Sequence, residues 1–372
     1  MRLGEAVVGL LADHYGVDTV FGIPGVHNIE LYRGLHRFGV RAVSPRHEQG
    51  AGFMADGWSV VTGRPGVCTL ISGPGLTNAL TPMAQAFHDS RPMLVLAATT
   101  PTAALGKRLG PLHDLDDQAA MARTVTAFSE TVLRPDDVPG LIARAFDVFR
   151  SARPRPVHLA FPTDLLELEV EAFVPVPSAA ARPVADPARL AEAARLLSAA
   201  SAPAVIVGGG AIDAAAAVAA VAERLDAPVV LTGNAKGVLP SSHPLCVGNA
   251  LFDTGIQSRL EAADAVLVVG AEVSDADLYN GGRALQFIGP VVRIDIDPDQ
   301  LGRRMTPAVG IVADASAALT ALAEALPQGA RAGAERAAEW RATWRAGVPA
   351  RLAPWLDAFA AATPPDAIVA LD

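Results

Sequence analysis

Apolar and polar positions along the first part of the chain switch between two periods. In "RLGEAVVGLLADHYG" the apolar residues recur at helical spacing and the run stops at Gly16, which predicts an amphipathic helix. "VDTVFGIPG" reads as a short apolar strand running into a turn. "HNIELYRGLHRFG" is a second helix, "VRAVSPR" a second strand and "EQGAGFMADGWSVVTG" a third helix. "RPGVCTLISGPG" is a β-branched strand ending in a glycine turn, followed by the helix "LTNALTPMAQAFHDS". "RPMLVLAAT" and the later "RPRPVHLAFP", closed by Pro162, complete the strands of this part. These strands are continuous apolar runs separated by helices, the pattern of a parallel sheet covered on both faces.

The proline-rich span "VPVPSAAARPVADPA" fixes extended backbone and interrupts helices, so it predicts a linker. A second alternating unit follows: "APAVIVGGGAI", "DAAAAVAAVAERLD", "APVVLTG", "ADAVLVVGAEV" and "GPVVRIDIDP". The remainder is mostly helical and finishes on "PDAIVALD", which reads as one more strand. The expected fold is α/β, with two doubly wound parallel-sheet domains. Residues 1–171 form the first, 172–187 the linker, 188–327 a Rossmann-like second domain, and 328–372 a helical linker leading into something further.

Composition narrows the function. Half of the 372 residues (51%) are hydrophobic and 19% are charged, enough for large cores. A net charge of −9 gives no pull toward nucleic acid or anionic membrane, and no basic run is interleaved with aromatics. No apolar run reaches the ~18–20 residues of a membrane span. The N-terminus lacks the unbroken apolar core of a signal peptide, so a soluble, cytoplasmic protein is expected. Cys68 and Cys246 lie far apart in apolar contexts and read as buried free thiols. Neither they nor His88 have partners at metal-ligand spacing, and no metal site on this chain is expected.

Three predicted strand ends carry chemistry. "ISGPGLTN", residues 71–78, places glycines around Pro74 at a strand-to-helix transition. It is either an ordinary turn or a place where backbone approaches a ligand. "VFGIPG" has the same grammar one strand earlier. "SPRHEQ" carries Glu48. An acid opening a helix is ordinarily stabilised by the helix dipole. That account leaves unexplained the small neighbours Gly50, Ala51 and Gly52, which leave room for something to dock. "VGGGAI", residues 207–212, lacks the G-x-G-x-x-G spacing of a dinucleotide site and is expected to be structural.

"VFGIPGVHNIELYRGL", "PRHEQGAGFMADGW", "GRPGVCTLISGPGLTNAL" and "RPRPVHLAFPTDLL" together resemble the pyrimidine-binding domain of thiamine diphosphate enzymes. The nearest group is that of acetolactate synthase, benzoylformate decarboxylase and pyruvate decarboxylase. The proline linker and "PAVIVGGGAI" through "VVRIDIDP" resemble that family's central domain. Within the family, "FGIPGVHNIELYRGL", "RHEQGAGFMADG" and "RLGPLHDLDDQ" are most similar to 5-guanidino-2-oxopentanoate decarboxylases, which act on the oxo acid of arginine.

The resemblance implies a cofactor, thiamine diphosphate, and a 2-oxo acid substrate. It makes Glu48 the carboxylate that hydrogen-bonds and activates the aminopyrimidine ring. Pro24, Gly25, Ser72, Pro74 and Asn78 match positions around that ring. His113 falls where relatives carry a group facing the substrate, and it either relays a proton after CO2 departs or is a surface histidine. His27, Asp114 and Gln118 are the candidate substrate contacts. Asp114, Asp116 and Asp117 either meet a guanidinium or form a solvated acidic loop. Val26 stands where pyruvate decarboxylases carry an aspartate, so their proton relay is not reproduced. The family holds the diphosphate through Mg²⁺ on a Gly-Asp-Gly motif in a third domain, and no Gly-Asp-Gly occurs in these 372 residues. The resemblance therefore implies either a second polypeptide carrying the diphosphate-binding domain, in a homo- or hetero-oligomer with this chain inactive alone, or a truncated product. Relatives use the central domain for a flavin, a nucleotide or nothing, which leaves FAD open. The rival expectations are an acetolactate synthase-like carboligase subunit, a non-catalytic regulatory paralogue, and a plain nucleotide-binding protein.

Overall fold

The computed structural model describes all residues except 179, 365, 368 and 370–372. The chain divides into two units, Met1–Arg182 and Pro183–Asp372. In the first unit six strands form one sheet: β1 (Thr19–Gly22), β2 (Arg41–Val43), β3 (Gly66–Leu70), β4 (Met93–Thr99), β5 (Phe128–Thr131) and β6 (Val157–Pro162). Their order is β2-β1-β3-β4-β6-β5 and every pairing is parallel. In the second unit β7 (Ala204–Val207), β8 (Val229–Leu231), β9 (Cys246–Asn249), β10 (Val266–Val269), β11 (Val291–Asp295) and β12 (Val309–Val312) form the other sheet. Its order is β12-β11-β10-β7-β8-β9, again all parallel. The doubly wound α/β architecture is thus present twice. β5, β9 and β12 have no counterpart among the strands expected from sequence, and all three are sheet edges.

Each sheet is buried on both faces, which explains its continuous apolar runs. In the first unit one face carries Leu3, Val7, Leu159 and Phe161, and the other carries Phe21, Leu70, Leu76 and Val95. Two helices on the second of these faces matter for the site. Glu48–Thr62 opens on His47, whose Nδ1 accepts the Gln49 N–H at 3.1 Å, and closes on Gly63 in the left-handed region. Pro74–His88 opens with Pro74 at its first position, where the missing N–H costs nothing. The two helices meet at Gly52: a Cβ there would lie 2.3 Å from Pro82 Cγ. Ala51 beside it is fully buried. The small residues after Glu48 therefore serve helix-to-helix approach, and the room they were expected to leave is taken by Pro82.

In the second unit the helix Gly333–Ala346 buries Ala337 and Trp340 in the core, so this part of the C-terminal segment belongs to that unit. The helix Ala353–Ala362 buries no residue. The strand expected in 365–372 lies largely outside the described residues. Among the described residues no helix is long and apolar enough to cross a membrane.

Both sheets have a point where the strand order reverses, between β1 and β3 and between β7 and β10. In open parallel sheets ligands bind beyond the carboxyl ends of the strands at such a point.

Candidate functional site

The turns after β1, β3 and β4 and the helix after β2 come together at the first reversal point. Asn78 lies on the second turn of the Pro74 helix, and its Nδ2 donates to Glu48 Oε2 at 2.9 Å. Glu48 is half-buried in the first turn of its own helix, where the dipole favours a carboxylate. Among the described residues Oε1 receives no hydrogen bond. The pair joins two helices whose residues the family resemblance had assigned to one site.

After β1, Pro24 is exposed and Gly25 donates its N–H to Asn28 Oδ1 at 2.8 Å. Asn28 is fully buried, and its Nδ2 donates to Ile23 O at 3.1 Å, closing the turn. Sequence reading passed over Asn28. Its signal was a side-chain amide at a strand-to-helix turn, where asparagine mimics backbone. A Cβ on Gly25 would lie 2.7 Å from Ile71 Cγ2, so this glycine lets the β1 turn meet the β3 turn.

After β3, Ser72 is buried and its Oγ donates to His113 O at 3.1 Å. Gly73 has φ +62°, and a Cβ there would sit 2.6 Å from His113 O, so only glycine fits. The His113 ring lies edge-on to His27, centroids 5.4 Å apart. The Nδ1 atoms of both rings are buried and have no hydrogen-bond partner among the described residues. Burial, with His113 second, holds His27 below the ordinary histidine range.

The acids of the loop after β4 are largely engaged. Asp116 forms a two-bond fork with Arg108, one arm being Nε to Oδ1 at 2.8 Å. Asp117 caps the helix Gln118–Arg123 by accepting the Ala120 N–H at 2.8 Å. Asp114 accepts only the Gly110 N–H, at 3.3 Å. Gln118, expected as a substrate contact, is turned inward: Oε1 accepts the Gly73 N–H at 3.1 Å and Nε2 donates to Ala98 O at 2.9 Å. Both ends of its amide bind the scaffold. Among the described residues no three His, Cys, Asp or Glu side chains are grouped as a metal needs.

The second reversal point is filled by backbone. Gly208 N–H donates to Val269 O at 2.9 Å, and Gly210 N–H to Gly270 O at 3.0 Å. A Cβ on Gly208 would meet Gly270 O at 2.2 Å. "VGGGAI" thus spends its glycines on contact between the β7 and β10 turns. The buried Arg293 guanidinium, from β11, donates to Ala271 O at 2.8 Å and Arg303 O at 2.6 Å.

Known proteins place this geometry. Residues 1–121 match the family model described as thiamine pyrophosphate enzyme, N-terminal TPP binding domain. Residues 190–322 match that of the thiamine pyrophosphate enzyme central domain. The chain belongs to the thiamine pyrophosphate enzyme family, of which it holds these two domains. It is 47% identical over 324 residues to a protein of Pseudomonas aeruginosa named as a probable 2-ketoarginine decarboxylase, AruI, covering 87% of this chain and 57% of that one. It is 33% identical to the acetolactate synthase isozyme 1 large subunit of Escherichia coli, covering 86% of this chain and 57% of the relative. A solved structure described as a thiamin diphosphate-dependent enzyme from Mycobacterium smegmatis superposes with TM-score 0.78 at 26% identity, over 88% of this chain and 63% of that one. The chain spans little more than half the length of these curated relatives.

Proposed function

We propose that these residues form the pyrimidine-holding half of a thiamine diphosphate-dependent 2-oxo acid decarboxylase, acting on the oxo acid of arginine. The observation that carries the proposal is Glu48, fixed by Asn78 at the β1/β3 reversal point with Oε1 left to accept a hydrogen bond. The residues fit the pyrimidine end of the cofactor: a carboxylate oxygen that receives no hydrogen bond among the described residues, in a half-buried setting. When bound, thiamine diphosphate supplies the nucleophilic carbon and the electron sink for loss of CO2. Glu48 orients the ring and holds a proton at its nitrogen. Asn78 keeps the carboxylate in place. The His27–His113 pair is within the same cluster and can hold or deliver a proton at the reacting carbon. Among the loop acids Asp114 is the least engaged and is the group assigned to the guanidinium end of the substrate.

The 372 residues contain no Gly-Asp-Gly, so the diphosphate and its Mg²⁺ fall to residues outside them. In this proposal those residues lie on a second polypeptide in an oligomer. Calorimetric titration of the purified chain with thiamine diphosphate and Mg²⁺ tests that point. Weak or absent binding that becomes tight on adding the partner is the expected result. Tight binding and turnover by this chain alone would sink the two-chain arrangement. Product analysis with the arginine-derived oxo acid, against pyruvate, tests the reaction: CO2 and an aldehyde from the former support decarboxylation, whereas a condensed product from pyruvate supports the carboligase alternative that the 33% identity to acetolactate synthase keeps in view.

A further inference from the structure

The loop between β4 and the helix Gln118–Arg123 carries His113, and it is tied back to the β3 turn at two places. Ser72 Oγ donates to His113 O at 3.1 Å. Gln118 then spans from the Gly73 N–H, accepted at 3.1 Å, to Ala98 O on β4, donated to at 2.9 Å. Gln118 is only 4% exposed. His113 itself has φ +63°, a left-handed conformation that costs a non-glycine residue about 1–2 kcal/mol. Such a residue persists only where its surroundings over-determine it. Here they do: Gly73 has no Cβ to obstruct His113 O, and the two ties fix the loop from either side.

We propose that Gln118 is a positioning residue: by bridging β4 to the Gly73 turn it locks the loop that carries His113 and so sets the His113 ring against His27. The catalytic meaning of the lock rests on the proposed function, but the lock itself is a property of this chain.

An amide suits the task because it offers an acceptor and a donor at once. Gly73 N–H needs the acceptor and Ala98 O needs the donor. A carboxylate supplies only the first and sets a negative oxygen against the Ala98 carbonyl. A carboxylic acid supplies both. Gln118→Glu is therefore a pH-controlled version of the lock. The introduced carboxyl has its folded-state pKa raised by burial and by the facing carbonyl. The lock is then present below the ordinary glutamate pKa and is lost as pH rises through the raised value.

The test is the nuclear Overhauser contact between the His27 and His113 rings, read in the folded, histidine-labelled chain without cofactor. The same pH series on the native chain accounts for titration of His27, His113, Asp114, Asp116 paired to Arg108, and Asp117 around it. The native chain keeps the contact throughout. Gln118→Glu is expected to show it near its native intensity at the lowest pH where the chain stays folded, and to lose at least about half of it two units higher. Gln118→Asn, too short to reach both partners and uncharged, should lose it at every pH. That variant keeps the test decisive where the charged form fails to fold. A contact of native intensity in folded Gln118→Asn, or in deprotonated Gln118→Glu, overturns the proposal. A role in stability alone would lower the melting temperature and leave the ring contact of the folded chain untouched. Loss of the lock and loss of the function are separable, since normal turnover by a Glu48 variant would refute the function while leaving this contact as it was.

Discussion

Both sheets are six-stranded and parallel, in different strand orders, and they use their reversal points in opposite ways. Between β1 and β3, four segments deliver side chains: Glu48 with Asn78, Asn28, Ser72 and the His27–His113 pair. Between β7 and β10 glycines meet directly, Gly208 and Gly210 lying on Gly270, with the Arg293 guanidinium on the Ala271 carbonyl beside them. Two amides of the β7 turn, those of Gly208 and Gly210, are spent there on Val269 O and Gly270 O. Polar side chains thus converge at the reversal point in the first unit, whereas backbone meets backbone in the second. Topology marks where a site can be; the residues at the turn decide whether it exists.

The contrast breaks first at Glu48. In the assembled enzyme Glu48→Gln is expected to lower turnover by about 10²- to 10⁴-fold, the range for a positioned proton-transfer group. The amide preserves size and leaves the Asn78 neighbour in place, so the melting temperature should change little. Turnover within a few-fold of native would remove the first unit's claim to a working site.

On the other side of the comparison stands Gly270. Its φ is +54°, and a Cβ would fall 2.8 Å from Gly210 backbone atoms. Gly270→Ala combines left-handed strain with overpacking against backbone, and should cost about 3 kcal/mol in urea unfolding. A loss below about 1 kcal/mol would mean that the joint has slack, and the closed reading of the second unit would fall.

How much of this was legible in sequence follows the same division. The buried central strands announced themselves as apolar runs. β5, β9 and β12 did not: each is a short edge strand, and half-exposed residues break the apolar run of two of them, Glu130 and Thr131 in β5, Gly248 and Asn249 in β9. Glu48 was legible from its motif, and so was the glycine turn that Gly73 makes possible. Gln118 was legible as a residue but not as a role, since nothing local reveals that its partners are Gly73 and Ala98. Gly52 misled for the same reason. A small residue announces close approach, but only the fold says that Pro82 is what approaches.

Acid separates the units next. His158 is fully buried on β6, its Nδ1 2.7 Å from Ser129 Oγ on β5, and desolvation depresses its pKa to about 3. The folded pKa lies below the unfolded value of about 6.5, so the unfolded state binds more protons between them. Stability from this group is complete above pH ~6.5 and is lost as pH falls toward the folded value, with a slope of at most about 1.4 kcal/mol per pH unit. The second unit's His243 is half-buried, its Nε2 3.2 Å from Glu223 Oε1. Acid unfolding followed by hydrogen exchange should therefore release the first unit before the second, and His158→Gln should flatten the difference. Simultaneous release in the native chain would show that His158 does not set the acid limit.

The smallest effect tests whether the first unit's glycines are joints like those of the second. Gly52 and Gly57 lie on the helix that begins with Glu48. A Cβ at Gly52 strikes Pro82, whereas at Gly57 nothing lies within 4 Å. Gly57→Ala should stabilise by about 0.5–1 kcal/mol, because alanine orders in a helix at lower entropic cost and meets no neighbour. Gly52→Ala should destabilise by about 1–3 kcal/mol through overpacking. If both stabilise, the Pro82 contact gives way easily and the small residues do leave room beside Glu48. If only Gly57→Ala does, Gly52 acts as a helix joint against Pro82.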